Sequence, residues 1–179
     1  MSGREARVVL APLREEDSDL LFEWINDRDL VLLSSPFEPV ERPDHDRWFR
    51  SVRERDDIEI FGIRLREEDR LIGSCQLNRI DRRNFTCELQ IRIGEAEARG
   101  RGYGTEAVRL LLAHAFGRLG MARVGLHVFE GNAAAIRAYE KVGFKREGVL
   151  RGAALIDGNR IDVLVMSALR EEIEGDGGS

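Results

Sequence analysis

Apolar and polar residues alternate in several short segments of the chain, and in other segments the apolar residues recur at helical spacing. Helical spacing behind an acidic first turn predicts a helix in REEDSDLLFEWIND. The segment LLSSPFEPVERP predicts a loop because it contains three prolines, and DHDRWFRSVRER predicts a second amphipathic helix. Strands are predicted in RVVLAPL and in two segments joined as a hairpin by the turn REED, namely DIEIFGIRL and RLIGSCQLNRI.

The next segment, FTCELQIRI, alternates over its whole length and predicts a strand with two different faces. Its apolar face comprises Phe85, Cys87, Leu89, Ile91 and Ile93. Its polar face comprises Thr86, Glu88, Gln90 and Arg92.

A long helix is predicted from about Gly104 to Leu119, because apolar residues there form a stripe along one helix face. The members of this stripe are Val108, Leu111, Leu112, Ala115 and Leu119. After a predicted strand in ARVGLHVFE, a short helix is predicted with Asn132 as its N-cap and Gly143 as the residue that ends it.

The last elements are predicted to be two strands, about Lys145–Leu155 and Arg160–Leu169, because the dipeptide Asp157-Gly158 between them favours a tight hairpin turn. Neighbouring strands joined by hairpins, with helices between other strands, predict an α/β (α+β) chain with a mixed sheet covered by helices. One domain is predicted over residues 7–173, with loose ends at 1–6 and 174–179.

Composition narrows the choice of partners. The chain has 179 residues, 42% of them hydrophobic, a mean hydropathy of −0.33 and a formal net charge of −5. The negative charge disfavours a nucleic-acid backbone as the main partner.

Cys75 and Cys87 lie in strand-like apolar runs and are predicted to be reduced core residues. The three histidines, His45, His114 and His127, are too scattered to predict a metal site. No signal-peptide or membrane-spanning pattern is present, so we expect a cytoplasmic protein without a membrane partner.

The segment ARGRGYGTEA places alternating glycines directly before a predicted helix. A helix N-terminus offers unpaired N–H groups and a partial positive charge, and glycines let that backbone approach an anion closely, so the segment predicts a phosphate cradle. A P-loop is excluded because Gly104 is followed by Thr105 and not by lysine. A Rossmann fingerprint is excluded because the glycine spacing differs and antiparallel strands precede the loop.

The remaining pattern, Arg99, Gly102 and Gly104, resembles the pyrophosphate loop of the GNAT (general N-acetyltransferase) superfamily. The segment FEGNAAAIRAYEKVGF resembles the second part of the same signature, with Asn132 at a helix start and Tyr139 seven residues later. Similarity extends over nearly the whole chain, toward the branch that contains ribosomal-protein N-terminal and spermidine acetyltransferases.

The resemblance implies a single-domain GNAT fold, whose central sheet of about six to seven strands is mostly antiparallel and splays open at the acetyl-CoA site. Acetyl-CoA is implied as co-substrate, and no metal is needed. Backbone groups of Ile91, Arg92 and Ile93 are expected to pair with pantetheine, and Asn132 and Tyr139 to lie along it. The arginine side chains of the loop are expected to add contacts to pyrophosphate. The expected loop residues are Arg99, Gly100, Arg101, Gly102, Tyr103, Gly104 and Thr105.

Two residues are candidates for proton transfer. Glu88, on the polar face of its strand, matches a glutamate often found there in the family and is the candidate base, acting through a water; the alternative is a solvated carboxylate. Tyr139 is the candidate acid for the leaving thiolate; the alternative is a helix aromatic that lines the cofactor. By resemblance, the acceptor cleft is expected between the loop Leu32–Val40 and the hairpin around Asp157.

The sequence therefore predicts transfer of an acetyl group to a primary amine, either a protein N-terminal α-amine or a small-molecule amine such as a polyamine. A catalytically silent acyl-CoA-binding sensor or regulatory domain is the alternative. The oligomeric state stays open between a monomer and a homodimer.

Overall fold

The computed structural model describes residues 5–175 and shows a seven-stranded sheet flanked by helices. Residues 1–4 and 176–179, which belong to the predicted loose ends, lie outside the described residues. The strands are β1 (Val8–Pro12), β2 (Glu59–Leu65), β3 (Leu71–Asp81), β4 (Thr86–Ile93), β5 (Arg123–Phe129), β6 (Lys145–Ile156) and β7 (Asn159–Leu169). The helices are α1 (Asp17–Asn26), α2 (Arg28–Val31), α3 (Arg42–Ser51), α4 (Tyr103–Ala113), α5 (Ala133–Val142) and α6 (Arg170–Gly175).

The sheet has the strand order β1-β2-β3-β4-β5-β7-β6, which confirms the predicted mixed topology. Every neighbouring pair is antiparallel except β4 and β5, which are parallel. That parallel pairing covers only Thr86–Glu88 against Arg123–Gly125, whereas both strands continue beyond it. The later halves of β4 and β5 therefore diverge, as expected from the family resemblance.

Two hydrophobic clusters cover the two faces of this sheet. The larger cluster holds α4 and α5 against the strands, and the smaller one holds α1, α2 and α3. Adjacent residues of β3 belong to different clusters, Ile72 to the larger and Leu71 to the smaller, so the clusters lie on opposite faces. Cys75 and Cys87 are buried in the larger cluster and form no disulfide, as predicted.

Local turn chemistry accounts for several predicted boundaries. Asp157 and Gly158 both have positive φ angles, 49° and 81°, which is the backbone of a type I′ turn and confirms the predicted hairpin. Gly143 ends α5 in the left-handed conformation, at φ 103°.

Two residues of the predicted apolar faces, Phe85 and Leu119, are less buried than the pattern indicates. Phe85 has φ 54° and is 51% exposed, because it lies in the turn before β4. Its carbonyl accepts hydrogen bonds from the N–H groups of Ala122 and Arg123, at the start of β5. Leu119 is only partly buried and Phe116 takes its place, because a π-helical turn over His114–Arg118 rotates the end of the stripe.

Within residues 5–175, every helix is too short or too polar to cross a lipid bilayer.

Candidate active site

A cavity of about 210 Å³ opens where β4 and β5 diverge. The predicted site residues that line it are Ile91, Arg92, Ile93, Arg99, Gly104, Asn132 and Tyr139. The lining also includes residues that sequence reasoning did not select, namely Leu30, Leu33, Ser34, Val108, His127, Val128, Ala135 and Ala138. The other predicted site residues of the described chain do not belong to the lining, namely Glu88, Gly100, Arg101, Gly102, Tyr103 and Thr105.

The glycine loop has a backbone conformation that favours glycine at some positions and would accept a side chain at others. Gly100 and Gly102 have φ angles of 72° and 85°, in the left-handed region that favours glycine, and Gly102 is the N-cap of α4. Gly104 lies in the first turn of α4, where an added Cβ would be 3.7 Å from Ile93 Cγ1, an ordinary contact. The protein itself therefore has room for a Cβ at Gly104.

The backbone N–H groups of this loop are free. Among residues 5–175, none of the N–H groups from Gly100 to Thr105 donates to a backbone or side-chain acceptor, and the first bond of α4 runs from Glu106 N to Gly102 O at 3.1 Å. Consecutive unpaired N–H groups at a helix start form an anion-binding concavity. This arrangement fits a pyrophosphate.

Arg7, which sequence reasoning missed, holds the loop from the start of β1. Its backbone N–H and Nε donate to the Glu106 carboxylate at 2.8 and 2.7 Å, and Nη2 donates to the Arg101 carbonyl at 2.9 Å. Its guanidinium also lies 4.6 Å from the centre of the Tyr103 ring. The partners are 94 to 99 positions away along the chain, so no local pattern could have indicated them.

The two loop arginines differ in their contacts. The Arg99 side chain donates to the carbonyls of Ile93 and Gly94 at 3.0 and 2.5 Å, and its N–H donates to Ala96 O at 3.2 Å. These bonds fasten the loop to the end of β4. The Arg101 side chain makes no ion pair or hydrogen bond with any residue in 5–175, so it is free to reach a bound anion.

Asn132 joins two walls of the cavity. Its Oδ1 accepts from Ala135 N at 3.2 Å, which is the predicted N-cap, and its Nδ2 donates to Leu33 O at 3.0 Å. A second link joins α2 to the turn between β6 and β7, where Arg28 Nη2 lies 2.6 Å from Asp157 Oδ2. Both segments predicted as walls of the acceptor cleft are thus tied to neighbouring elements.

Tyr139 lies on α5 with 8% of its surface exposed, and it lines the cavity. Its ring packs against Phe144 at 5.7 Å between ring centres. The hydroxyl forms no hydrogen bond with any residue in 5–175. Burial raises the pKa of Tyr139 to about 12, so the hydroxyl stays protonated and remains a donor at neutral pH.

Glu88 is held on the polar face of β4 between two basic side chains. Its Oε1 is 3.2 Å from Arg79 Nη1, and its Oε2 is 4.0 Å from His127 Nδ1 on β5. His127 lines the cavity and Glu88 does not. In the sequence, His127 is only one of three scattered histidines, and its place near Glu88 depends on the register of β5 against β4, which no local pattern indicates.

Comparison with known proteins places these features in one family. Residues 7–145 match the profile of the acetyltransferase (GNAT) domain. The uncharacterized N-acetyltransferase p20 of Bacillus licheniformis is 28% identical, with 94% of this chain and 96% of the relative covered. YdaF of Bacillus subtilis, named as a candidate ribosomal N-acetyltransferase, is also 28% identical and covers 93% of this chain and 87% of its own length.

A solved structure with the same fold is the spermidine N-acetyltransferase of Vibrio cholerae in complex with CoA and spermine. It is 25% identical to this chain and superposes with a TM-score of 0.84, covering 95% of this chain and 99% of its own.

Proposed function

The chain belongs to the GNAT acetyltransferase family and is an acetyl-CoA-dependent N-acetyltransferase, and from this premise we propose that it acetylates a primary amine in the cavity between β4 and β5. The acceptor amine belongs either to a protein N-terminus or to a small molecule. The observation that carries the proposal is the free backbone at two adjoining places: the unpaired N–H groups from Gly100 to Thr105 and the divergent edge of β4.

These residues fit the co-substrate. The N–H groups at the start of α4 would hold the pyrophosphate, and Arg101 would add a charge-assisted contact. The backbone of Ile91–Ile93, which β5 leaves unpaired, would hold pantetheine in the manner of a neighbouring strand. When bound, acetyl-CoA supplies a thioester carbonyl that a neutral amine can attack.

Proton removal from the amine is assigned to Glu88. A protonated amine cannot attack, so a base must accept its proton before or during bond formation. Because Glu88 lies behind His127 as seen from the cavity lining, we assign the relay of the proton to His127 or to a water beside it.

Proton delivery to the leaving sulfur is assigned to Tyr139. Tyr139 lines the cavity, its hydroxyl has no competing hydrogen bond among residues 5–175, and its ring packs against Phe144. A donor held this way is oriented before the thiolate develops, which limits the reorganisation needed at the transition state.

A thiol-release assay with acetyl-CoA tests the proposal directly. The panel contains polyamines, amino acids, aminoglycosides and N-terminal peptides, with an acetyl-CoA hydrolysis control without acceptor. We expect acceptor-dependent release of free CoA for at least one amine. Binding of acetyl-CoA by calorimetry without turnover on any acceptor would favour the silent acyl-CoA-binding alternative. Binding of ATP or NAD in place of acetyl-CoA would overturn the assignment of the site.

A further inference from the structure

Among residues 5–175, the side chains that line the cavity include basic groups and no carboxylate. Arg92 and Arg99 are the formally charged residues of the lining, and His127 is its only other titratable nitrogen group. Arg99 is committed to the carbonyls of Ile93 and Gly94. Among residues 5–175, Arg92 is therefore the cation of the lining that has no strong hydrogen-bond partner.

Arg92 has little within the protein to balance its charge. Its one hydrogen bond runs from Nη2 to Ser34 Oγ at 3.4 Å, and no carboxylate of residues 5–175 lies within 4.0 Å of it. Asp27 acts on it only at longer range and is occupied as the N-cap of α2, accepting from Leu30 N at 3.1 Å. Burial lowers the pKa of the Arg92 guanidinium, but an arginine keeps its charge at neutral pH.

The phosphate cradle cannot supply the missing anion. Ile93 Cγ1 faces the first turn of α4, 3.7 Å from where a Cβ of Gly104 would lie. Successive side chains of a strand point to opposite faces, so Arg92 points away from α4 and toward Ser34 in the loop after α2. That loop is a wall of the acceptor side of the cavity.

We propose that Arg92 binds an acidic group of the acceptor, so that the enzyme prefers amines that carry a carboxylate over polycations such as polyamines. This inference rests on the proposed function. The planar guanidinium can hold a carboxylate by two parallel hydrogen bonds, which fixes the distance from that group to the reacting amine. A polyamine would bring several positive charges to a cavity whose lining offers none of the opposite sign.

The carboxylate can belong to a small amino acid or to an acidic peptide, and matched acceptor pairs separate these sources. One arm compares linear ω-amino acids of increasing length with their carboxamides. The other compares peptides that have glutamate or glutamine at the second position. Spermidine serves as the polycation. For wild-type enzyme we expect kcat/KM about ten- to a hundredfold higher for the acidic member of at least one pair, the range of a charge-assisted hydrogen bond.

Arg92→Gln should remove this preference and leave the KM for acetyl-CoA unchanged, whereas Arg92→Lys should keep part of it. Arg82→Gln, which deletes one exposed charge in the turn between β3 and β4, is the control and should behave as wild type. If the acidic and amide acceptors react equally in wild type, or if Arg92→Gln raises only the KM for acetyl-CoA, the proposal is wrong.

A binding measurement keeps the test independent of turnover. Calorimetric titration of the CoA-saturated enzyme with the acidic and amide compounds reports the Arg92 contact even if no acetyl transfer occurs. If the acidic member binds more tightly and Arg92→Gln abolishes this difference, the proposal is supported. Absence of turnover in the same experiment would then count only against the proposed function. Equal binding of the two members would overturn the Arg92 assignment alone.

Discussion

The side-chain amide of Asn132 donates a hydrogen bond to the carbonyl oxygen of Leu33 at 3.0 Å, across 99 positions of the chain. This bond joins the first turn of α5 to the loop after α2, while the oxygen of the same amide caps α5. One side chain thus stabilises a helix end and positions a cavity wall.

The two roles of Asn132 are separable by substitution. In Asn132→Ser the hydroxyl can still cap α5 but is too short to reach Leu33, so we expect nearly unchanged thermal stability and a higher KM for the acceptor. In Asn132→Ala both roles are lost, and the free energy of unfolding should fall by about 1 kcal/mol as well. Equal kinetic parameters for wild type and Asn132→Ser would show that the Leu33 bond has no functional role.

Gly104→Val tests the phosphate cradle. Because the protein leaves ordinary contact distance at this position and the backbone there is helical, the variant should fold with no loss of melting temperature. The new side chain would stand where a pyrophosphate must approach, so the affinity for acetyl-CoA in a calorimetric titration should fall at least tenfold. Gly102→Val is the strained comparison, since its φ of 85° penalises any side chain and should lower stability too. Wild-type affinity in Gly104→Val would exclude close approach of phosphate at this position.

Tyr139→Phe tests the proton donor. The substitution keeps the ring and its packing on Phe144, so acetyl-CoA should bind as in wild type. We expect kcat to fall by about tenfold to a hundredfold, at the low end of general acid catalysis because a thiolate is a tolerable leaving group. Wild-type turnover, with chemistry shown to be rate-limiting, would return Tyr139 to the role of an aromatic that lines the cofactor.

The raised pKa of Tyr139 gives a pH prediction. A tyrosine in an unfolded chain ionises near pH 10, and Tyr139 in the folded protein near pH 12, so the folded state favours the protonated form. Its stabilising contribution is complete below about pH 10 and is lost as the pH rises toward about 12. In a Tyr103→Phe variant, where Tyr139 is the sole remaining tyrosine, phenolate absorbance should therefore stay low at pH 10 while circular dichroism shows a folded protein. Half-maximal phenolate absorbance at pH 10 would contradict the effect of burial.

Glu88→Gln tests the base. Turnover should slow most at low pH, where the acceptor amine is mainly protonated, and should recover partly at high pH, where free amine is abundant. His127→Gln should give the same pH profile if His127 relays the proton, and a wild-type profile if a water does. A loss of activity that is uniform across pH in Glu88→Gln would indicate positioning instead of proton transfer.

The buried ion pair between Asp17 on α1 and Arg64 on β2 should contribute strongly to the free energy of unfolding. Asp17 and Arg64 are 2% and 4% exposed, and Arg64 Nη2 lies 2.5 Å from Asp17 Oδ1. Asp17→Ala therefore leaves a buried guanidinium whose remaining carboxylate partner, the exposed Asp69, lies 4.0 Å from Nε. We expect the free energy of unfolding to fall by about 3–5 kcal/mol in urea titrations. Asp19→Ala, which breaks the exposed contact with Arg42 on the same helix, is the control and should leave the midpoint nearly unchanged. Equal effects of the two substitutions would contradict this role of burial.

Short-range chemistry determined much of this molecule from the sequence alone. The turn at Asp157-Gly158, the cap at Asn132 and the end of α5 at Gly143 each depend on residues within a few positions of one another. The alternation of FTCELQIRI likewise determined which side chains of β4 share a face. Such features are readable because backbone preferences and side-chain periodicity act locally.

Packing between distant segments decided the rest. Phe85 followed the alternation and is nevertheless exposed, because the turn into β4 takes it out of the strand. The ties of Arg7 to the glycine loop and of Arg92 to Ser34 join segments that lie 58 or more positions apart. Their partners are set by sheet order and strand register, which depend on how the apolar faces of the whole chain pack together, and no local period of the sequence carries that information.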